Sequence, residues 1–107
     1  MTMNEQNSGV GTELKINLHM EPMGEYRLSN VDFTATVFSA ETRERVVIDK
    51  ASALAVDDDN YILIVDSSIV GIGRYFVTLC AYIPDVDMPS GFRKEVATVY
   101  SGITIVR

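Results

Sequence analysis

Apolar and polar residues alternate with period two along most of the chain, a pattern that predicts β-strands. Leu14, Ile16, Leu18 and Met20 interleave with Lys15, Asn17, His19 and Glu21, so an extended segment there has one apolar and one polar face. Pro22-Met23-Gly24 ends it. Residues 32–38 repeat the pattern, with Phe33, Ala35 and Val37 on one side and Thr34, Thr36 and Phe38 on the other. Threonine and aromatic residues suit a half-wet pleated surface. After the polar connection Glu41-Thr42-Arg43-Glu44, residues 45–49 predict a third strand; a helix over 39–44 would be too short to stand alone. Tyr61-Ile62-Leu63-Ile64-Val65 is an unbroken apolar run bounded by turns, which predicts a strand buried on both faces.

The longest strand prediction covers residues 73–85. Tyr75, Val77, Leu79, Ala81 and Ile83 take one face, and Phe76, Thr78, Cys80 and Tyr82 the other. That second face is weakly polar, which predicts a central strand or one covered by a partner. Residues 94–100 should pair back with it across a polar tip at 84–91. Ser101-Gly102 should bulge the returning strand, and residues 103–106 should end the chain as a strand.

The connections are legible through their turn residues. Residues 1–12 are polar and glycine-containing and predict a flexible N-terminal arm, leaving residues 13–107 as a single β-sandwich domain. Ser29-Asn30 reads as a turn. The segment 50–56, with Ala51, Ala53, Leu54 and Ala55, is consistent with either a helical turn or a short edge strand. Asp57-Asp58-Asp59-Asn60 is a turn because Asp and Asn bond back to their own backbone. Gly71 and Gly73 supply the backbone angles of a tight corner.

Short strands separated by turn signals predict an all-β fold, an immunoglobulin-like antiparallel β-sandwich of about seven strands. Gly73-Arg74-Tyr75-Phe76-Val77 resembles the tyrosine corner of immunoglobulin-like sheets, in which a Tyr opens the penultimate strand. Antibody domains place a disulfide cysteine two residues later, where this chain has Val77, and the chain has no tryptophan. The likeness is therefore to the broad architecture.

Length and charge narrow the function. A chain of 107 residues has room for one domain. Nine basic against fifteen acidic side chains give a net charge of −6, which argues against a nucleic-acid partner. Arg43 and Arg45 sit among Glu41 and Glu44, and Arg93-Lys94 is followed by Glu95, so neither pair reads as a basic patch. No apolar run approaches the roughly 20 residues a membrane helix needs, and the first residues lack a signal peptide. A cytosolic product with no membrane partner is expected. Cys80 is the one cysteine; mid-strand, it reads as a small buried or interfacial hydrophobe.

Candidate chemistry is sparse. Asp57, Asp59, Asp85 and Asp87 are the candidates for a calcium site in loops, although most acidic turns are simply solvated. An EF-hand is excluded, since its pattern would want Gly at Ile62 and Glu at Ser68. His19, the only histidine, alternates with apolar residues and should face water. No serine has an elbow motif around it, and Gly71-Ile72-Gly73 leads into a strand rather than a phosphate-binding helix. The expectation is no enzyme, no cofactor and no catalytic residues. Phe76, Cys80 and Tyr82, joined by Tyr100 if the register allows, are the interface candidates.

Taken together, the segment 31–38, the acidic turn leading into Tyr61, the Gly71-x-Gly-x-Tyr75 corner and the terminal strand resemble one family. It is the N-terminal immunoglobulin-like module of phage baseplate and tail-fibre proteins, of the upper-baseplate type, which also occurs in prophage-like proteins of gut bacteria. The resemblance spans residues 13–107 at the level of pattern. It implies a non-enzymatic structural or adaptor module of a virion-associated assembly, working through protein–protein contacts as a homo-oligomer. The alternative is a carbohydrate- or receptor-binding sandwich using the loops at 57–60 and 85–91.

Overall fold

Eight strands in two sheets make up the fold in the computed structural model, which describes residues 6–107. They are β1 (Gln6–Gly9), β2 (Glu13–His19), β3 (Asp32–Ser39), β4 (Arg45–Asp49), β5 (Leu54–Ala55), β6 (Asn60–Asp66), β7 (Gly73–Pro84) and β8 (Phe92–Val106). One sheet has the order β1-β8-β7-β3-β4 and the other β2-β6-β5. The all-β sandwich expected from the alternation is present, with eight strands rather than about seven.

The alternating positions form the core. Leu14, Ile16 and Leu18 of β2 and Tyr61, Leu63 and Val65 of β6 face Phe33, Ala35 and Val37 of β3 and Tyr75, Val77, Leu79, Ala81 and Ile83 of β7. All are buried. Phe33 and Tyr61 meet edge to face across the two sheets, ring centroids 5.1 Å apart, a favoured geometry for aromatic pairs.

Three expectations need correction. The predicted arm over 1–12 is structured over Gln6–Gly9, which pairs in parallel with Ile103–Val106 of β8. Val10 N–H extends this pairing to the Val106 carbonyl at 3.0 Å. Main-chain bonds at a sheet edge need no apolar side chains, so Gln-Asn-Ser-Gly carries no strand signal; residues 1–5 of that prediction lie outside the described residues. The pairing also departs from a wholly antiparallel sandwich. Finally, β6 is not buried on both faces, because Ile62 and Ile64 are only half-buried. The three-stranded sheet has one face on the core and one uncovered, as antiparallel sheets commonly do.

Both alternatives for 50–56 occur in succession: a 3-10 turn at Lys50–Ser52, then the two-residue β5. At Ser101-Gly102, β8 bulges as expected. The register jumps from Tyr75 opposite Ile103 to Phe76 opposite Tyr100.

The corner before β7 locks the two sheets together. A single helical turn, α1 (Ser67–Val70), leads into Gly71 at φ +87° and Gly73 at φ +118°. The Tyr75 hydroxyl donates back to the Gly71 carbonyl and lies 3.3 Å from that of Ser67, completing the tyrosine corner. Burial pushes its phenol up to about 12. Ser39 ties the β3–β4 connection to the same corner. Its hydroxyl donates to the Ile72 carbonyl at 2.6 Å and accepts from the Glu41 and Thr42 N–H groups.

The long β7–β8 ribbon makes the molecule oblong, 48 × 28 × 25 Å. Its radius of gyration is 14.7 Å, against about 13 Å for a compact chain of this length.

Candidate interaction surface

β1 covers β8 only at Ile103–Val106. Among the described residues, no strand pairs with the outer edge of β8 from Phe92 to Val99. The phase of this open edge follows from the hairpin end. Asp85 N–H donates to the Gly91 carbonyl at 2.8 Å, and directly opposite residues that bond in this way alternate with pairs that do not. Arg93, Glu95, Ala97 and Val99 therefore direct their N–H and C=O groups to β7. Phe92, Lys94, Val96, Thr98 and Tyr100 direct theirs outward.

The side chains on this stretch are bare on both sides of the sheet. Val96, on the outer face, is 62% exposed, and Val99, on the inner face, is 58% exposed. Phe92 is 49% exposed. A covering layer would shield one face only. Exposure on both faces leaves room for a strand in the plane of the sheet.

Natural sheets usually blunt such edges with charge, proline or a bulge. Here the charges are confined to the start. Arg93 bonds Glu95 at 2.8 Å and lies 3.6 Å from Asp85, and Lys94 sits over the Tyr82 ring. Val96-Ala97-Thr98-Val99-Tyr100 carries neither charge nor proline.

Phe76, Cys80, Tyr82 and Tyr100 do share one surface, the outer face of the five-stranded sheet, which the second sheet leaves uncovered. The register sets Phe76 between Phe38 and Tyr100, with ring centroids at 5.7 and 5.2 Å. Cys80 is free and half-buried. These side chains shield one another; along β8 the barer apolar positions are Phe92 and Val96 on this face and Val99 on the other. Sequence reasoning missed them, although the run of β-branched residues without a charge or proline was the available signal.

The acidic loops are occupied by their own bonds. Asp57 accepts from the Asn60 side chain and the Asp59 N–H, each at 2.9 Å, which holds its carboxyl below the usual range. Asp59 is gripped by the Arg27 fork at 3.0 and 2.6 Å, with the same effect on its carboxyl. Asp85 accepts the Asp87 N–H at 3.0 Å. Among the described residues, no group of three or more His, Cys, Asp or Glu side chains could hold a metal ion. His19 faces solvent as its alternation predicts. Its Nε2 lies 3.0 Å from Glu21 and its Nδ1 3.0 Å from Asn60, contacts that raise its pKa above 6.5.

A groove of about 570 Å³ opens on the outer face beside the β3–β4 connection, with Phe38, Arg43 and Arg45 among its lining. No described helix is long and apolar enough to cross a membrane. In comparisons with known proteins, no family model, curated protein or solved structure matches the chain.

Proposed function

We propose that the chain is a non-enzymatic structural or adaptor module, of the phage or prophage tail-fibre or baseplate kind, working through protein–protein contacts. The observation that supports this reading is the open edge of β8, exposed on both faces and carrying no charge or proline beyond Glu95. Strand addition suits such an edge: main-chain bonds supply affinity and alternate side chains supply specificity.

The occupant we assign to it is a second copy of the same edge, antiparallel about Val96. That register places outward-bonding residues opposite one another: Val96 with Val96, Lys94 with Thr98, and Phe92 with Tyr100. It sets Arg93 against Val99 and Glu95 against Ala97. All three charges of the strand thus meet uncharged residues, whereas parallel in-register pairing would stack Arg93 on Arg93. Like charges directly opposite destabilise a sheet, and aromatic pairs stabilise it.

Sedimentation at increasing concentration tests this. The chain should approach twice its monomer mass. Val96→Pro should remain folded and monomeric, because the N–H it removes faces outward. Ala97→Pro should instead damage the fold, because its N–H bonds β7. A strict monomer at every concentration, or a dimer that persists in Val96→Pro, would overturn the assignment.

A further inference from the structure

We propose that the groove beside the β3–β4 connection binds a sugar acid, with its carboxylate held between the guanidinium groups of Arg43 and Arg45. Both arginines line the groove, together with Phe38, Thr36 and Thr78. Its volume, about 570 Å³, lies within the roughly 300–1,000 Å³ of small-ligand pockets.

The two cations have no carboxylate partner among the described residues, in a chain with fifteen acidic side chains. Arg27, Arg74 and Arg93 are all ion-paired. The neighbouring glutamates are diverted by the fold. Glu41 is taken by Arg74, whose Nε lies 2.7 Å away and whose backbone N–H donates at 2.6 Å. Glu44 lies opposite Ser39, bonded through its carbonyl, at a register position that projects to the inner face. Arg45 lies opposite Phe38 and projects outward. A stretch that is electrically mixed in sequence is therefore sorted into a cationic groove.

The backbone of the turn fixes where Arg43 stands. Seven described residues have positive φ; six are glycine and the seventh is Arg43, at φ +64°. Glycine occupies that region without the steric penalty an L side chain incurs. The tight β3–β4 turn, closed by the Arg43 N–H to the Ser39 carbonyl at 3.0 Å, accounts for a left-handed residue there and sets this arginine at the groove.

The floor suits a hydroxylated ring. Thr36 has no hydrogen-bonded side-chain partner among the described residues, and the Thr78 hydroxyl shares one bond with Thr98 at 2.8 Å. Phe38 offers an apolar surface against which a ring can rest. Guanidinium forks meet a planar carboxylate through paired hydrogen bonds. A neutral sugar would leave both charges unused, and a nucleic-acid backbone would require a longer cationic track. The groove is built on β3, β4 and their connection, with Thr78 at its margin. It does not include the β8 edge, so this inference and the assembly reading stand or fall separately.

The test is a nuclear magnetic resonance titration of the whole chain with glucuronate, galacturonate and N-acetylneuraminate, against glucose, acetate and sulfate. At least one sugar acid should give saturable shifts at Thr36, Phe38 and Arg45, bound at least about tenfold more tightly than glucose or acetate. Arg43→Gly should keep or raise the thermal midpoint, since glycine accepts positive φ, and should weaken that binding at least about tenfold. Arg45→Gln should weaken it similarly. Three results would overturn the inference: no saturable shift with any sugar acid, equal binding of acetate and sulfate, or unchanged affinity in Arg43→Gly.

Discussion

Replacing Gly73 by alanine should be among the most damaging single-methyl additions in this chain. The residue sits at φ +118°, where an L side chain is strained whatever space surrounds it; holding a residue in so sparse a region costs about 1–3 kcal/mol. Space is also lacking. An added Cβ would overlap the Ser39 hydroxyl and the Glu41 carboxylate, and would come within 2.9 Å of the Glu41 Cβ. Neither neighbour can give way cheaply. Ser39 is buried and bonds the Ile72 carbonyl at 2.6 Å, while the Glu41 carboxylate is held by the Arg74 N–H and Nε. Overpacking of this kind adds about 1–3 kcal/mol. The sum, about 2–6 kcal/mol, is a large part of the about 5–15 kcal/mol that a domain has in total. It corresponds to a fall of about 10–25 °C in Tm for a domain near this size.

Urea denaturation followed by circular dichroism would read the loss as a lower midpoint at unchanged slope. Gly71→Ala is the internal control. Its φ is +87°, but the added Cβ meets nothing closer than the Thr42 Cγ2 at 3.5 Å, so strain alone should cost about 1–2 kcal/mol. In a Ser39→Ala background, Gly73→Ala should cost about 1 kcal/mol less, because one obstructing atom is gone. If Gly73→Ala lost no more than Gly71→Ala, the reasoning from close approach would be wrong.

Two further predictions concern groups whose folded-state pKa is raised. Tyr75→Phe should lose about 1–2 kcal/mol at neutral pH, because the Gly71 carbonyl loses its hydroxyl donor. In the intact chain the Tyr75 phenol, pushed up to about 12 from 10.0, holds its proton more tightly when folded. That contribution is fully present below pH 10 and is lost as pH rises toward 12. Ultraviolet titration should show a late phenol transition that disappears in Tyr75→Phe; a titration curve whose late portion is unchanged by that substitution would refute this. His19 should titrate above 6.5, chiefly through its Glu21 contact and then through Asn60. Its stabilising contribution is complete below 6.5 and fades as pH rises through the raised value. Glu21→Gln should bring the imidazole back toward 6.5 by nuclear magnetic resonance, and an unchanged midpoint would show that the contact does not form in solution.

The features legible in the sequence are those fixed within a few residues. Leu14, Ile16 and Leu18 enter the core because the pleat alternates side chains whatever strand lies alongside. The two faces of β7, the β4 boundaries and the Gly71–Tyr75 corner follow from equally local causes. Pairing is not local. Nothing in Gln6–Gly9 announces a strand, because its contribution is main-chain bonding to β8, at the opposite end of the chain.

The same distinction explains why the candidate sites were the least legible features. The Ile62-Leu63-Ile64 run and the β7 run are similarly apolar, yet β7 lies between two long strands while β6 sits in a sheet of three with one wet face. Val96 and Val99 look like ordinary interior residues until the strand beside them proves to stop at Ile103. Arg43 and Arg45 are interspersed with Glu41 and Glu44 in sequence, where their charges cancel on average. Only the β3–β4 register, with Phe38 opposite Arg45, and the Glu41–Arg74 pair separate the signs. A mixed charge pattern is neutral when averaged along the chain and polarised once a sheet sends alternate residues to opposite faces. Net charge along a strand therefore says little about a surface; the charge on each face must be counted separately.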